Sequence, residues 1–418
     1  MEIKRQMWKH NIFWVILFFF SSVTFAEGQT FHKTQDNQQD SASLSQHFTQ
    51  RLGIEIRPGY IFQTNPFLEG DNLYSKPIKN SFSYHLKYSF QLSPNTAAGR
   101  IFGGAYQGIG LACYSFGDKE EMGKPLAIYL FQGARITRLS SLASLNYEWN
   151  LGISCGWKPY DYDTNYYNKI IGSKVNAYIN MNFYLNWTLS RHFDLTSGIA
   201  FTHFSNGNTK YPNAGLNTAN LKVGLVYKFN EEEKGKRYCP KPFYHIPPFP
   251  RHISYDLVLF GSWRRKGVYV GDSQVLSPNA YTVLGFNFAP MYNLGYRFRL
   301  GASLDGVYDG SANAYAEDNL GDIPEFRTPP LQRQLALGLS GRAEYVMPYF
   351  SINLGVGVNM FHGGGDLKAL YQTLALKIKM TRNSFIHIGY NLKDFHDPNF
   401  LMLGIGFRFN NKYPRLHY

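Results

Sequence analysis

A histidine and a serine two positions apart, His203 and Ser205, are the side chains of this chain whose types and spacing suit catalysis. They end an alternating run, and residues two apart in a strand point to the same side of the sheet. Because serine is a weak nucleophile until a neighbouring group takes its proton, an imidazole beside a hydroxyl is the minimum for a serine nucleophile. Asn206 and Gly207 follow directly, and an amide or a backbone N–H there is suited to hold a developing oxyanion.

The alternation of the flanking residues predicts which way this pair faces. Residues 193–202 and 219–229 have strand patterns, so the residues between them form a long turn. Ile199 and Phe201 share the side of the histidine and the serine, whereas small and polar residues take the other side. In a membrane barrel the apolar side faces lipid. We therefore expect the pair to open toward acyl chains and not toward a lumen.

Strand-like segments make up most of the chain, and these segments must position the histidine and the serine. Aromatic residues are 17% of the chain and 39 residues are glycine. Segments of roughly ten residues alternate apolar and polar positions, as barrel strands do. The predicted strands are 51–62, 81–92, 108–116, 125–136, 142–157, 174–189, 192–204 and 219–230 in the first half, and 252–264, 281–289, 294–308, 332–346, 349–361, 368–380, 385–393 and 400–410 in the second.

These strands predict an all-β fold, an antiparallel transmembrane β-barrel of the outer-membrane type. Charged residues and prolines break the pattern over 231–251, which predicts a linker between a barrel at 51–230 and a second one at 252–418. The two halves have similar endings, with glycine and alternating aromatic residues at 224–229 and 404–409. Two tandem eight-stranded barrels explain this duplication most simply. Closure of all the strands as one sixteen-stranded barrel is the alternative.

The N-terminal residues and the charge predict where the protein works. Residues 1–26 combine a basic start, an apolar core and small residues at a cleavage site, which predicts a secretory signal peptide. Residues 27–50 are polar and predict a flexible leader. The formal net charge is +13, which suits anionic partners. Export favours phosphorylated lipid headgroups of a bacterial outer membrane over nucleic acid.

The stretch from His203 to Asn217, HFSNGNTKYPNAGLN, followed by a closing strand, carries a specific resemblance. It resembles the signature of the lipid A 3-O-deacylase (PagL) family, also labelled acyloxyacyl hydrolase, and the resemblance covers roughly residues 51–230. It implies an eight-stranded outer-membrane barrel that hydrolyses an acyl ester of lipid A, the membrane anchor of lipopolysaccharide. It implies no cofactor and no metal.

The resemblance also implies roles for individual residues. Ser205 would be the nucleophile and His203 the general base, while Asn206 with neighbouring backbone N–H groups such as that of Gly207 would form the oxyanion hole. Asn213 would support the turn. The position of Asn217 carries a glutamate in the best-known member, where it orients the histidine. An amide can hold the imidazole tautomer but cannot stabilise imidazolium by charge.

The second half lacks this pair of residues. Aligning Gly389 with Gly198 brings Asp394 opposite the histidine and His396 opposite the serine. The leading hypothesis is an outer-membrane serine esterase acting on lipid A or a related glycolipid. A phospholipase is a nearer alternative, and a non-catalytic channel or binding scaffold is the rival from another class. Nothing in the residues sets the oligomeric state.

Overall fold

The computed structural model describes residues 48–93, 96–229, 246–271, 273–317, 325–395 and 397–416. The predicted signal peptide, most of the predicted leader and most of the predicted linker lie outside these residues. The last three leader residues, 48–50, belong to the first strand, which therefore begins earlier than the sequence predicts.

The first half is a closed antiparallel barrel of eight strands in which each strand pairs with the next and the last pairs with the first. Its strands are β1 Phe48–Ile61, β2 Asn80–Leu92, β3 Tyr106–Ser115, β4 Gly123–Arg138, β5 Ala143–Trp157, β6 Val175–Thr188, β7 Phe193–Ser205 and β8 Leu216–Lys228. Two short helices, α1 Pro66–Glu69 and α2 Ala97–Ile101, lie in the connections. The sequence did not predict these helices, because one turn of helix leaves no periodic pattern.

Paired charges fill the lumen of the first barrel. The Glu55 carboxylate lies 2.9 Å from the Lys87 ammonium, 3.0 Å from that of Lys222 and 2.5 Å from the Arg57 guanidinium. All four side chains are buried. Buried charges are tolerated when they are paired and hydrogen-bonded. On the same strands the alternate side chains, among them Ile54 and Leu221, are large, apolar and exposed, as a lipid-facing surface requires.

The second half is a separate closed antiparallel barrel, also of eight strands. Its strands are β9 His252–Arg264, β12 Tyr281–Asn293, β13 Phe298–Asp309, β16 Leu335–Val346, β17 Phe350–His362, β18 Leu370–Lys379, β19 Ser384–Lys393 and β20 Asp397–Phe409. The connections carry two hairpins, β10 Gly267–Val270 with β11 Ser273–Leu276 and β14 Tyr315–Glu317 with β15 Glu325–Arg327, and a 3₁₀ turn, Leu331–Arg333. Its lumen repeats the chemistry of the first, since Lys377 bonds both Asp256 at 2.8 Å and Glu344 at 2.6 Å.

The prediction of two tandem eight-stranded barrels is confirmed. The first barrel closes where Ile54 pairs with Leu225, and the second closes where Ile405 pairs with Leu259. Each half thus satisfies its own edge strands, which leaves none to join a sixteen-stranded sheet. No helix among the described residues is long and apolar enough to cross a membrane.

Part of the outer surface of the first barrel is covered by the second. Trp149 on β5 is only 7% exposed, although Ile153 on the same face of β5 is 55% exposed. Its ring meets that of Phe350 on β17 edge-on at 5.1 Å, and its indole N–H bonds Gln132 at 2.6 Å and lies 3.4 Å from the Met347 sulfur. Apolar burial of this kind holds the two barrel walls together.

Candidate active site

The strand that carries the predicted pair is anchored from inside the barrel. Phe204, between His203 and Ser205, is fully buried in the lumen. Its ring centroid lies 5.0 Å from those of Tyr114 and Trp157 and 5.5 Å from that of Tyr178. Because side chains alternate along a strand, an inward Phe204 directs both neighbours outward.

The histidine and the serine point to the outward face of β7, at its end. Ile199 and Phe201, on the same face, are 45% and 44% exposed, whereas Thr202 on the other face is buried. His203 is half-buried and Ser205 is 8% exposed, because the connection between β7 and β8, residues 206–215, covers this end of the strand. The structure therefore brings the two side chains to one face, at the rim of the lipid-facing wall.

Asn217 is a hydrogen-bond partner of the histidine. The register of β7 and β8 pairs His203 directly with Asn217, and the imidazole Nδ1 lies 2.7 Å from the amide Oδ1. An amide oxygen can only accept, so Nδ1 carries the proton and donates it. The lone pair is then on Nε2, which is the tautomer a general base needs.

Gly215 brings the histidine and the serine together. A Cβ built on this residue would lie 3.1 Å from His203 Cε1 and 3.7 Å from Ser205 Cβ, and its φ of +76° is one that side chains rarely adopt. Both side chains therefore pack against the same backbone atom. Among the described residues no hydrogen bond joins the imidazole to the hydroxyl, and such bonds often form only when a substrate is bound.

The turn after Ser205 uses the side chains of two asparagines. The backbone N–H of Asn206 donates to Asn213 Oδ1 at 2.8 Å, and its Nδ2 donates to the carbonyl of Lys210 at 2.6 Å. Asn213 is thus a support of the turn. Both nitrogens of Asn206 donate within the turn, and its role in an oxyanion hole stays a prediction.

The residues after Asn206 form a tight turn in which Gly207 is buried and Asn208 is half-buried. Gly207 and Asn208 have φ of 64° and 60°, and Thr209 closes the turn through its N–H to the Asn206 carbonyl at 3.3 Å. Two central residues with positive φ define a type I′ turn. Within the part of the chain that the structure describes, neither central N–H donates a hydrogen bond. These two N–H groups are the free donors nearest in sequence to Ser205.

An apolar wall runs from the site toward the middle of the barrel. In the register of β6 and β7, Ile179 pairs with His203 and Met181 with Phe201, and all three apolar side chains are exposed. Leu221 extends this wall on β8. The pairing of β6 with β7 brings Ile179 and Met181 to the site. The alternation of residues along β6 is the sequence feature that indicates their outward direction.

Basic and aromatic side chains surround the site at the rim. Burial, and then the neighbouring charge of Arg265, lower the pKa of Lys210 in the turn. The Lys169 ammonium lies over the rings of Tyr160 at 4.1 Å and Tyr166 at 3.9 Å, so these side chains of the connection between β5 and β6 form a cation–π cluster. No group of three metal-ligating side chains occurs among the described residues.

The corresponding place in the second barrel has no comparable turn. There β19 ends at Lys393 and β20 begins at Asp397. Asp394, which the sequence alignment sets opposite the histidine, forms an exposed ion pair with Lys368. His396 lies outside the described residues.

Two family models match the chain, one over each barrel. A model described as "Lipid A 3-O-deacylase (PagL)" matches residues 81–226. A model described as "Acyloxyacyl hydrolase, C-terminal domain" matches residues 253–411. No curated protein matches the chain.

Two of the solved structures with a likeness to the chain are a neisserial surface protein and an autotransporter domain. The neisserial surface protein A structure is 10% identical with a TM-score of 0.27, covering 44% of this chain and 96% of that one. The translocator domain of the autotransporter NalP from Neisseria meningitidis is 8% identical with a TM-score of 0.21, covering 88% of this chain and 92% of that one. At these scores the likenesses carry no argument about function.

Proposed function

Because this chain belongs to the lipid A 3-O-deacylase (PagL) and acyloxyacyl hydrolase family, we propose that it is an outer-membrane serine esterase that hydrolyses an acyl ester of lipid A or a related glycolipid. One observation carries the proposal. His203, with its Nδ1 proton held by Asn217 at 2.7 Å, lies beside Ser205 on the outward face of the barrel. A base, a hydroxyl and a lipid-facing surface are thereby combined at one place.

The first half of the reaction forms an acyl-serine. Ser205 Oγ attacks the ester carbonyl carbon while His203 Nε2 takes the hydroxyl proton. The carbonyl oxygen becomes an oxyanion, and the free N–H groups of Gly207 and Asn208 are the donors proposed to bind it. The tetrahedral species collapses when the bond to the sugar oxygen breaks, and His203 returns the proton to that leaving alcohol.

The second half releases the acyl chain. A water molecule attacks the acyl-serine as His203 Nε2 takes its proton, and the second tetrahedral species expels Ser205 Oγ, which regains the proton. The products are a free fatty acid and a glycolipid with one acyl chain fewer. Asn217 keeps the imidazole in the correct tautomer in both halves, but without the charge of a carboxylate.

The surroundings of the pair suit an ester at a membrane surface. The exposed wall of Ile179, Met181, Phe201 and Leu221 offers an apolar path for an acyl chain, while the ester lies at the rim. An acyl chain already dissolved in the bilayer needs no pocket inside the protein. The paired charges that fill both lumens give no support to the channel alternative, since a small barrel filled by side chains leaves no pore.

Mass spectrometry of lipid A tests the proposal. Cells that express the wild-type protein should yield lipid A that lacks one acyl chain, and Ser205→Ala should leave lipid A intact because the nucleophile is gone. Ser197→Ala is the matched control, since Ser197 lies on the same face of β7 and bonds only the Trp187 indole at 3.1 Å. Heat-dependent gel migration should show all three proteins folded. Unchanged lipid A with folded wild-type protein, or acyl loss with Ser205→Ala, would contradict the proposal.

A further inference from the structure

The turn that follows Ser205 is bound by the second barrel through backbone hydrogen bonds. The N–H of Tyr211 donates to the Arg265 carbonyl at 3.0 Å, and the N–H of Arg265 donates to the Thr209 carbonyl at 2.8 Å. Residues 209–211 thus pair with Arg265 as one strand pairs with another. Arg265 is itself held, since its guanidinium donates to the carbonyls of Ser277 at 3.3 Å and Pro278 at 2.5 Å.

A second set of contacts joins the tip of the turn to β20. The Asn208 Nδ2 donates to the carbonyls of Pro398 at 3.2 Å and Asn399 at 3.0 Å. Gly207 lies against Leu401, since a Cβ built on this glycine would be 3.4 Å from Leu401 Cδ1. The tip is therefore anchored at the two residues whose N–H groups are free.

These anchors hold a conformation that costs free energy. A non-glycine residue at positive φ is uncommon and costs free energy. Asn208 has a φ of 60°, and its two hydrogen bonds to β20 offset that cost. Without them the tip has other conformations of similar free energy, and the direction of its N–H groups is no longer set.

We infer that the second barrel is a positioning element for the site of the first, and that Asn208, through its bonds to β20, aims the turn's N–H groups at the reacting carbonyl. This inference rests on the proposed function, and it assigns a purpose to a barrel that carries no histidine–serine pair in its own described residues. Asn208 and Leu401 are positioning residues, since their side chains act on the reaction only through the backbone of the turn.

Asn208→Gly tests the inference with Asn410→Gly as its matched control. Glycine keeps the positive φ and removes the amide. Asn410 also has positive φ, 51°, and donates to one carbonyl, that of Ile253 at 2.7 Å, but at the other end of β20. Rates of fatty-acid release from purified lipid A in detergent micelles should show kcat lowered about tenfold or more for Asn208→Gly with KM little changed, because misdirected donors weaken only the transition state. Asn410→Gly should equal wild type.

A second pair keeps the test decisive if Asn208→Gly does not fold. Leu401→Ala, compared with Leu403→Ala two residues along the same outward face of β20, should lower kcat about threefold, whereas Leu403→Ala should not. Wild-type kcat in folded Asn208→Gly and Leu401→Ala would overturn the inference and leave the proposed function standing. A rise in KM with unchanged kcat would also overturn it. A wild-type protein that releases no fatty acid would overturn the proposed function and this inference with it.

Discussion

The connection between β7 and β8 and its counterpart between β19 and β20 lie at equivalent places in two barrels of the same design. The first spans residues 206–215 and follows an outward histidine and serine, whereas the second spans only residues 394–396. The first turns over its own strand end and covers Ser205. The second makes a short reversal, with Asp394 and Phe395 at positive φ. The difference lies in the connection and in two outward side chains.

The lumens of the two barrels do not differ in this way. Glu55 in the first and Glu344 in the second are both buried carboxylates bound by several cationic side chains. Both barrels close through their first and last strands. The two barrels share one architecture, but only the first carries the candidate site in its described residues. The barrel therefore supplies a rigid support, and any chemistry depends on the side chains at the ends of its strands.

The start of β20 in the second barrel also contacts the turn of the first barrel. Because β20 pairs with β9 only from Leu403 onward, the carbonyls of Pro398 and Asn399 are open to Asn208 of the other barrel. The second barrel thus binds the turn that follows Ser205 in the first barrel.

Replacing His203 should have the largest effect, and it compares the β7–β8 connection with the β19–β20 connection. His203→Ala should lower kcat for acyl release by about a thousandfold or more, because it removes the general base. Asp394→Ala at the aligned position should leave kcat unchanged, since Asp394 lies in the second barrel, where it forms an exposed ion pair with Lys368. Steady-state fatty-acid release checks both. Loss of activity in Asp394→Ala would show that the second rim takes part in the chemistry.

Substitutions in the two lumens should lower the stability of the protein by similar amounts, unlike substitutions at the two connections. Glu55→Gln and Glu344→Gln each leave buried cations without their carboxylate, which should destabilise the protein by about 3–5 kcal/mol. Urea unfolding in detergent micelles, followed by tryptophan fluorescence, measures the change. Similar losses in both variants are expected. A neutral result for one of them would mean that the two ion-pair networks are not equivalent.

Substitutions of Asn217 test whether the partner of the histidine affects the rate. Asn217→Ala removes the acceptor at 2.7 Å from Nδ1, so kcat should fall about 10–100-fold, in the range seen for loss of an orienting partner. Asn217→Asp keeps the acceptor and adds charge, so its kcat should be at least that of wild type. If Asn217→Ala retains full activity, another group orients the imidazole.

A glycine substitution tests whether the packing of the histidine affects the rate. Gly215→Ala places a methyl 3.1 Å from His203 Cε1 at a φ of +76°, whereas Gly364→Ala adds the same strain at +72° with nothing within 4 Å. Both should lose about 1 kcal/mol of stability. Only Gly215→Ala should also lower kcat, by about tenfold, because the imidazole must move. Equal kcat in the two variants would place the histidine away from the reacting atoms.

Most of the fold was predictable because barrel strands alternate visibly. The prediction of β9 matched both ends, and in general the strand ends shifted by only a few residues. Larger shifts occurred where apolar residues continue into a connection, as at the start of β13. The hairpin of β10 and β11 was not predicted, since four-residue strands leave too short a pattern.

The site was predictable to a different degree. The roles of Ser205, His203 and Asn217 stay predictions, although the parity of β7 already indicated the outward face of the serine and the histidine. The oxyanion role of Asn206 also stays a prediction, and its two nitrogens donate to Asn213 and Lys210 within the turn. Which of several donors in a turn is free depends on how the turn closes, and local sequence does not decide that.

The amino-acid sequence alone determined the barrel strands, their inward and outward faces, and the pairing of a histidine with a serine, because each of these depends on a period of two along one strand. Only the tertiary structure decided that Asn217 faces His203, that Gly207 and Asn208 keep free N–H groups, and that Arg265 and β20 hold the turn. These contacts join residues far apart in the chain, so they depend on strand register and on how two closed barrels pack side by side.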